Sequence, residues 1–423
     1  MVIVGSGPAG LGAAFEITER KPACSVLIID KQRYSSGGMR NDCKMNFTFP
    51  IGFPLEYWTQ EVAEKHLDKV AAFLKPEILP KHNLQVYQER ADRLGVSLLE
   101  ISQTHLGTDG GVKLIKQLLG ELQRRDVDLS LHEQVRTVDA AHRLVQTNLR
   151  DISYGALLIA PGRQGFRFLQ KIMDAHGIPY LDNIVDIGVR VETRIDHYPI
   201  VRDYYDPKFS FPDKVRTFCT NSGNAHVVQE KCSTSYGETY YSVNGHAYAA
   251  VKGKENGMVN FAMLKTVGLT EPLASGQKFA EQLSLQAMLL GGGKPLMQRV
   301  GDYRLGRRSK HTDFNHDLYD FPPTLPTCCP GDISLAVPAR ILRAIWKSMK
   351  HLDTIVPGVL HPSTIIYYPE IKLYANKPTY LDNHFRVLDS MFFAGDGAGT
   401  SRGITAAWAS GIRASSGILE VLD

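Results

Sequence analysis

Val2, Ile3 and Val4 form an unbroken apolar run, not an alternating one. That pattern predicts a strand buried on both faces, and the run ends abruptly on glycine. Residues 8–20 follow as a helix, with Ala13, Ala14 and Ile17 on one face. A second apolar run, 25–29, stops on Asp30. Further along, the pattern predicts a helix over 109–125, with Asp109 as N-cap candidate, and a strand over 127–131. The stretch "ISYGALLIAPGRQG" reads as another buried strand, leaving through Ala160-Pro161-Gly162. From "NIVDIGVRVETRID" the chain becomes β-rich, with short runs separated by turn residues. Helices are predicted at 276–290 and 338–351. Met391-Phe392-Phe393-Ala394 is a last buried strand, followed by a long helix rich in Ala and Ser.

The first turn carries chemistry. Gly5, Gly7 and Gly10 fit G-x-G-x-x-G between a strand and a helix. The first glycine permits the tight turn. The second lets backbone approach a pyrophosphate, and the third lets the helix lie close to the sheet. The pyrophosphate would rest on the amides of the helix N-terminus. Asp30, twenty residues after Gly10, can accept hydrogen bonds from ribose hydroxyls. An acid there argues against a 2′-phosphate, which leaves FAD or NAD.

Totals narrow the class. A chain of 423 residues has room for two or three domains. A net charge of +4 does not by itself argue for nucleic acid. The one basic cluster, Arg304, Arg307, Arg308 and Lys310, has no interleaved aromatics and reads as a solvated loop. No apolar run reaches a membrane span, and the chain opens directly on a strand with no leader visible. Six cysteines without a C-x-x-C pair point to a reducing, cytoplasmic setting and give no zinc site. Adjacent Cys328 and Cys329 read as two small semi-buried residues in a loop, in preference to a vicinal disulfide.

The C-terminal stretch "MFFAGDGAGTSRGITAAWASG" resembles the strand-G-D-helix element of the glutathione-reductase-like FAD proteins. The resemblance implies that Asp396, after Gly395, bonds the ribityl chain. It also implies that the helix beginning at Gly403, Ile404 and Thr405 aims its N-terminus at the flavin pyrimidine edge, where reduced flavin carries negative charge. The Ala160-Pro161-Gly162 turn is similar to the A-T-G turn of such domains, with Pro in place of Thr. Across nearly the whole chain the motif order resembles the uncharacterised FAD-dependent dehydrogenases: G-x-G-x-x-G, H-x-G-T-D, A-x-G, G-V-R-x-E, F-C, N-G-H, G-G-G-K-P and G-D-G-A-G. Two places depart from that family. Its F-C-x-C-P-G-G is here Phe218-Cys219-Thr220-Asn221-Ser222-Gly223-Asn224, and the segment after Asp30 lacks the longer glycine-rich form.

The resemblance implies an α/β fold. A discontinuous Rossmann-like FAD-binding domain, 1–165 plus 355–423, holds an inserted mixed α+β cap or substrate domain, 166–354. The cofactor-binding set is Gly5, Gly7, Pro8, Ala9, Gly10, Asp30, Lys31, Gly38, Met39, Arg40, Val135, Ala160, Pro161, Gly162, Gly395, Asp396, Gly403, Ile404 and Thr405. By the resemblance this set would hold non-covalent FAD. Candidate catalytic residues are Arg40, Cys219, His246 and Arg402, with His226 as another proton carrier by its ordinary pKa. The function implied is an FAD-dependent oxidoreductase acting on a small organic molecule. The alternatives are a flavoprotein modifying nucleic acid and a non-catalytic binding protein on the same fold. "LLGGGKP" follows a helix, the wrong context for a second dinucleotide fingerprint. NAD(P)H therefore enters only as a transient donor over the flavin face, or the substrate reduces the flavin itself.

Overall fold

A computed structural model describes residues 1–35, 37–40, 43–182, 184–234, 236–248, 255–270, 275–314, 321–373 and 376–423. Strands β1–β23 and helices α1–α9 are numbered along the chain, through two compact units. The first unit consists of 1–79, 101–182 and 374–423; the second consists of 80–100 and 183–373.

The first unit is built on a six-stranded sheet in the order β22-β23-β10-β1-β2-β6. These are β1 (Val2–Val4), β2 (Leu27–Asp30), β6 (Asp128–Leu131), β10 (Leu157–Ile159), β22 (Arg386–Leu388) and β23 (Met391–Phe393). All neighbours are parallel except β22 and β23. The period-2 alternation of strands splits the apolar runs between two cores. Ile3, Ile28, Leu158 and Phe392 face one core, with α1 (Pro8–Arg20), α2 (Gln60–Leu74), α4 (Gly107–Arg124) and α9 (Ile404–Leu422). Val2, Val4, Leu157, Ile159, Met391 and Phe393 face the other, with α5 (Phe166–His176) and a small sheet of β7 (Val135–Asp139), β8 (Leu144–Thr147) and β9 (Asp151–Ser153). Two short pairs complete the unit: β3 (Lys44–Asn46) with β5 (Gln103–His105), and β11 (Tyr180–Leu181) with β21 (Lys377–Pro378).

The second unit carries an eight-stranded sheet ordered β19-β18-β20-β12-β17-β14-β13-β4. Its members are β4 (Ser97–Leu99), β12 (Ile184–Arg194), β13 (Lys208–Phe211), β14 (Val215–Asn221), β17 (Met258–Gly268), β18 (Leu296–Arg299), β19 (Cys329–Pro330) and β20 (Ile365–Leu373). A hairpin of β15 (Asn224–Ser233) and β16 (Thr239–Tyr248) packs on it, and α3 (Leu84–Asp92), α6 (Gly276–Leu290), α7 (Val300–Arg304) and α8 (Ala339–Ile355) complete the unit. On β12 the odd residues Val185, Ile187, Val189 and Val191 enter the core that also takes residues of α6 and α8. The even residues Asp186, Arg190 and Glu192 are also fully buried, each beside a polar or charged partner.

The boundaries run differently from the sequence division at three places. Residues 166–182 belong to the first unit because α5 seals its second core. Residues 80–100 belong to the second because β4 pairs with β13. Residues 355–373 stay with the second because β20 is a central strand beside β12. Asp109 is not an N-cap: α4 starts at Gly107, so Asp109 sits inside the first turn, where a carboxylate faces the positive end of the helix.

Candidate functional site

The glycine turn is tightly enclosed. Gly5 has φ +107°, and its N–H donates to Ile29 O at 2.8 Å, tying the ends of β1 and β2. A side chain there would meet the Ala160 backbone, with its carbonyl carbon 2.9 Å away. α1 begins at Pro8 with Gly7 as N-cap, and neither a side-chain cap nor an acid in the first turn engages its free amides. Gly10 leaves no room for a methyl group either: Gly5 C and Ile3 Cγ2 would stand 3.2 Å away, and the Gly5 carbonyl oxygen much closer.

Asp30 closes this turn. Its Oδ2 accepts from Ser6 N at 2.9 Å and Ser6 Oγ at 2.6 Å, while Oδ1 accepts from Gln32 N at 2.9 Å. A carboxylate has about four acceptor directions, so one on Oδ1 is left for a ligand hydroxyl. Ser6, an x of the motif, was not singled out in the sequence.

The C-terminal element comes to the same place within the first unit. Gly395 has φ +86°, and a side chain on it would touch Ala9 Cβ at 3.1 Å. Its N–H donates to Thr400 Oγ1 at 2.8 Å and Ser410 Oγ at 3.0 Å. Asp396 accepts from Ser401 Oγ at 2.9 Å, and from the N–H of Gly403, the N-cap of α9, at 3.1 and 3.0 Å. Burial pushes the Asp396 carboxyl above its ordinary value; the Gly403 amide, Arg163, Ser401 and Arg402 pull the other way. Among the described residues, two buried atoms beside this loop have no hydrogen-bond partner: Thr405 Oγ1, in the first turn of α9, and Asn376 Oδ1. Asn376 donates through Nδ2 to Phe166 O at 3.0 Å. α9 crosses α1 closely, and Ser415 Oγ donates to Ala13 O at 3.3 Å.

Ala160 and Pro161 lie against Gly5, and the Gly162 carbonyl against Gly397, so the exit from β10 joins the two elements; the other predicted residues are dispersed. Lys31 and Gly38 are exposed, and Met39 is a fully buried core side chain whose carbonyl presses on Gly111. The Arg40 guanidinium lies 3.9 Å over the Tyr34 ring. Val135 is buried at the start of β7. Pro161 and Gly162 carry the chain out of β10, with Gly162 at φ +64°. Arg402 N donates to Gly52 O at 2.7 Å, and Trp58 Nε1 to Thr400 O at 2.7 Å, so the segment after Asp30 that departs from the family is tied to the approach to α9. Cys219 and His246 lie in the second unit. The Cys219 carbonyl accepts from Arg190 Nη1 at 3.2 Å, and His246 stands opposite His226 in the β15–β16 hairpin. Burial lowers the His226 pKa.

Cys328 and Cys329 are free thiols, and Cys329 begins β19 instead of lying in a loop. Arg304, Arg307, Arg308 and Lys310 are exposed, and Arg307 pairs with Asp302 at 2.7 Å. Among the described residues no His, Cys, Asp and Glu cluster could hold a metal ion, and no helix is long and apolar enough to cross a membrane.

The fold of the first unit is a Rossmann-like dinucleotide-binding fold. Residues 3–67 match the family described as NAD(P)-binding Rossmann-like domain. No curated protein matches the chain. Among solved structures the chain is similar to the Diels-Alderase PyrE3 of pyrroindomycin biosynthesis, at 12% identity and a TM-score of 0.41, covering 97% of this chain. It spans 62% of that protein's length. It is similar to L-proline dehydrogenase from P. horikoshii, at 11% identity and a TM-score of 0.43, over 99% of this chain and 92% of the other. It is also similar to 3-ketosteroid-delta4-(5alpha)-dehydrogenase from Rhodococcus jostii RHA1, at 11% identity and a TM-score of 0.42, over 99% and 96% of the two chains.

Proposed function

We propose that this chain is an oxidoreductase that binds FAD non-covalently in the first unit and acts on a small organic substrate by hydride transfer. The observation that carries this reading is the meeting of two elements far apart in sequence: the Gly5–Gly10 turn with Asp30, and the Gly395–Gly403 loop with Asp396. An NAD-only site needs the first and has no use for the second.

The residues present fit the cofactor. The uncapped N-terminus of α1 suits a pyrophosphate, and Asp30 retains an acceptor for the adenosine ribose. Asp396, fixed by Ser401 and Gly403, is the acceptor this reading assigns to a ribityl hydroxyl. The orphaned Thr405 Oγ1 and Asn376 Oδ1 are buried atoms that a polar ligand would satisfy. When bound, the flavin supplies the two-electron chemistry; the protein supplies orientation and charge. The α9 N-terminus favours negative charge at its ligand. Arg40 and Arg402 are the candidates for holding an anionic substrate.

Electron supply follows from what the second unit contains. Gly291–Gly293 close α6 and precede β18, so helix and strand come in the reverse of the fingerprint order. The purified protein is expected to be yellow. Anaerobic stopped-flow at about 450 nm should show slow bleaching by NADH or NADPH alone. A colourless, folded protein that cannot be reconstituted with FAD refutes the cofactor. Rapid, saturable bleaching by NADPH refutes the reading of electron supply.

A further inference from the structure

An acid and a base line one cavity of the second unit without meeting. The cavity encloses about 340 Å³, at the small end of the range for small-molecule sites. Its walls come from Tyr303 and Arg304 at the end of α7, from Asp332 and Ser334, and from Trp346 on α8. The Tyr303 and Trp346 rings pack on each other, with centroids 4.6 Å apart and planes at 58°. Gln298, 1% exposed, fixes the floor: its Nε2 donates to Arg307 O at 2.9 Å, and its Oε1 accepts from Ile333 N at 3.0 Å. Both flanking loops are therefore tied down before any ligand arrives. Asp332 caps the short turn Ile333–Leu335, its Oδ1 accepting from Ser334 N at 2.9 Å. Among the described residues its carboxylate has no other hydrogen bond and no ion pair, and the exposed Arg304 guanidinium has neither. Burial, and after it the Asp332 carboxylate, raise the Tyr303 phenol above its ordinary value, so the charge of Asp332 is felt at the ring pair.

Most occupants suit only part of this lining. An anion alone would face Asp332, and a cation alone would face Arg304. An uncharged apolar molecule would strip water from both charges and return no hydrogen bond. A molecule with a cation at one end and an anion at the other meets both, and its carbon skeleton covers the rings. We propose that this cavity binds a small zwitterion, an α-amino acid with an apolar side chain. Asp332 takes the ammonium, the Arg304 guanidinium takes the carboxylate, and the Tyr303–Trp346 wall takes the side chain. The site lies wholly within the second unit and does not depend on the flavin reading.

Calorimetry on the purified full-length protein compares L-phenylalanine with phenethylamine, which lacks the carboxylate, and with 3-phenylpropanoate, which lacks the ammonium. Wild type should bind phenylalanine about tenfold more tightly than either, one charge-assisted contact being lost each time. Asp332→Asn keeps a capping side chain and should erase the advantage over 3-phenylpropanoate alone. Arg304→Gln, at an exposed position, should erase the advantage over phenethylamine alone. Bound phenylalanine should also shield tryptophan fluorescence from acrylamide, because Trp58 and Trp408 are 1% exposed and Trp346 is the half-buried one. Equal binding of the three molecules, or no uptake of phenylalanine at about 10 mM, overturns the inference without any variant having to fold. So does an Asp332→Asn protein that melts as wild type does and keeps the full preference, or phenylalanine that binds and leaves the quenching unchanged.

Discussion

Gly10→Ala tests the joint between the fold and the cofactor. The added carbon would stand 3.2 Å from Gly5 C and Ile3 Cγ2, and inside hard contact with the Gly5 carbonyl oxygen. Carbon atoms rest at about 3.5–4.0 Å, so α1 has to lift from β1. It cannot lift freely. A carbon on Gly12 would meet Trp408 O at 2.5 Å and Trp408 Cδ1 at 2.8 Å, so α9 lies hard against the outer side of the same helix. Overpacking of this kind costs about 1–3 kcal/mol, or roughly 2–12 °C in melting temperature for a unit of about 200 residues. Lifting α1 also draws its free amides away from the pyrophosphate. One or two such bonds and part of the helix-end attraction amount to about 1–3 kcal/mol, or roughly 5- to 150-fold in FAD affinity. Gly12→Ala is the control: it faces α9, not the turn, and should lower the melting temperature while leaving FAD affinity within about twofold. Thermal melts of the apo-proteins and FAD titrations well below the melt separate the two effects. Gly10→Ala with wild-type affinity, or Gly12→Ala with the same loss of affinity, would refute the reasoning.

Asp30→Ala removes three hydrogen bonds to Ser6 and Gln32 and the ribose acceptor, so it should lower apo-protein stability by about 1–3 kcal/mol as well as FAD affinity; melts and titration read both, and an effect on neither would displace the cofactor. Asp396→Asn tests a burden. Burial raises the Asp396 carboxyl above 3.8, so its protonated form is the one the fold favours, and stability is lost as pH rises through the raised value. The neutral amide escapes that loss, so the melting temperature of apo Asp396→Asn should gain on wild type as pH climbs from about 4 and then level off; a difference independent of pH would show that the carboxyl is not desolvated.

Local order was open to reading wherever the partners of a residue are its neighbours in sequence. Val2–Val4, the glycines and Asp30 fall in one stretch, and the chemistry of a dinucleotide turn dictates their spacing. Asp396 binds Ser401 and Gly403, again close by. β12 is the opposite case. Valine and isoleucine alternate there with Asp186, Arg190 and Glu192, and both faces are covered. The charges are met by Arg216, Glu370 and Tyr367, residues brought in from other strands. Asp109 was misplaced because α4 begins at a glycine with φ +66°, a start without any side-chain cap to signal it.

The first unit is assembled from three separate lengths of chain, and this orders its birth on the ribosome. β10 is finished at residue 159, while its parallel neighbour β23 ends at residue 393. At about 5–20 residues per second the half-made sheet waits roughly 10–50 s for that strand. Throughout that interval α1 lacks the helix that will cover it, because α9 is translated after β23. The second unit is complete by residue 373 and can fold in the meantime. Capture of the flavin proposed above therefore waits until Asp396 and the start of α9 have emerged, and a ribosome stalled before then would carry a finished second unit and a first unit whose sheet is still open.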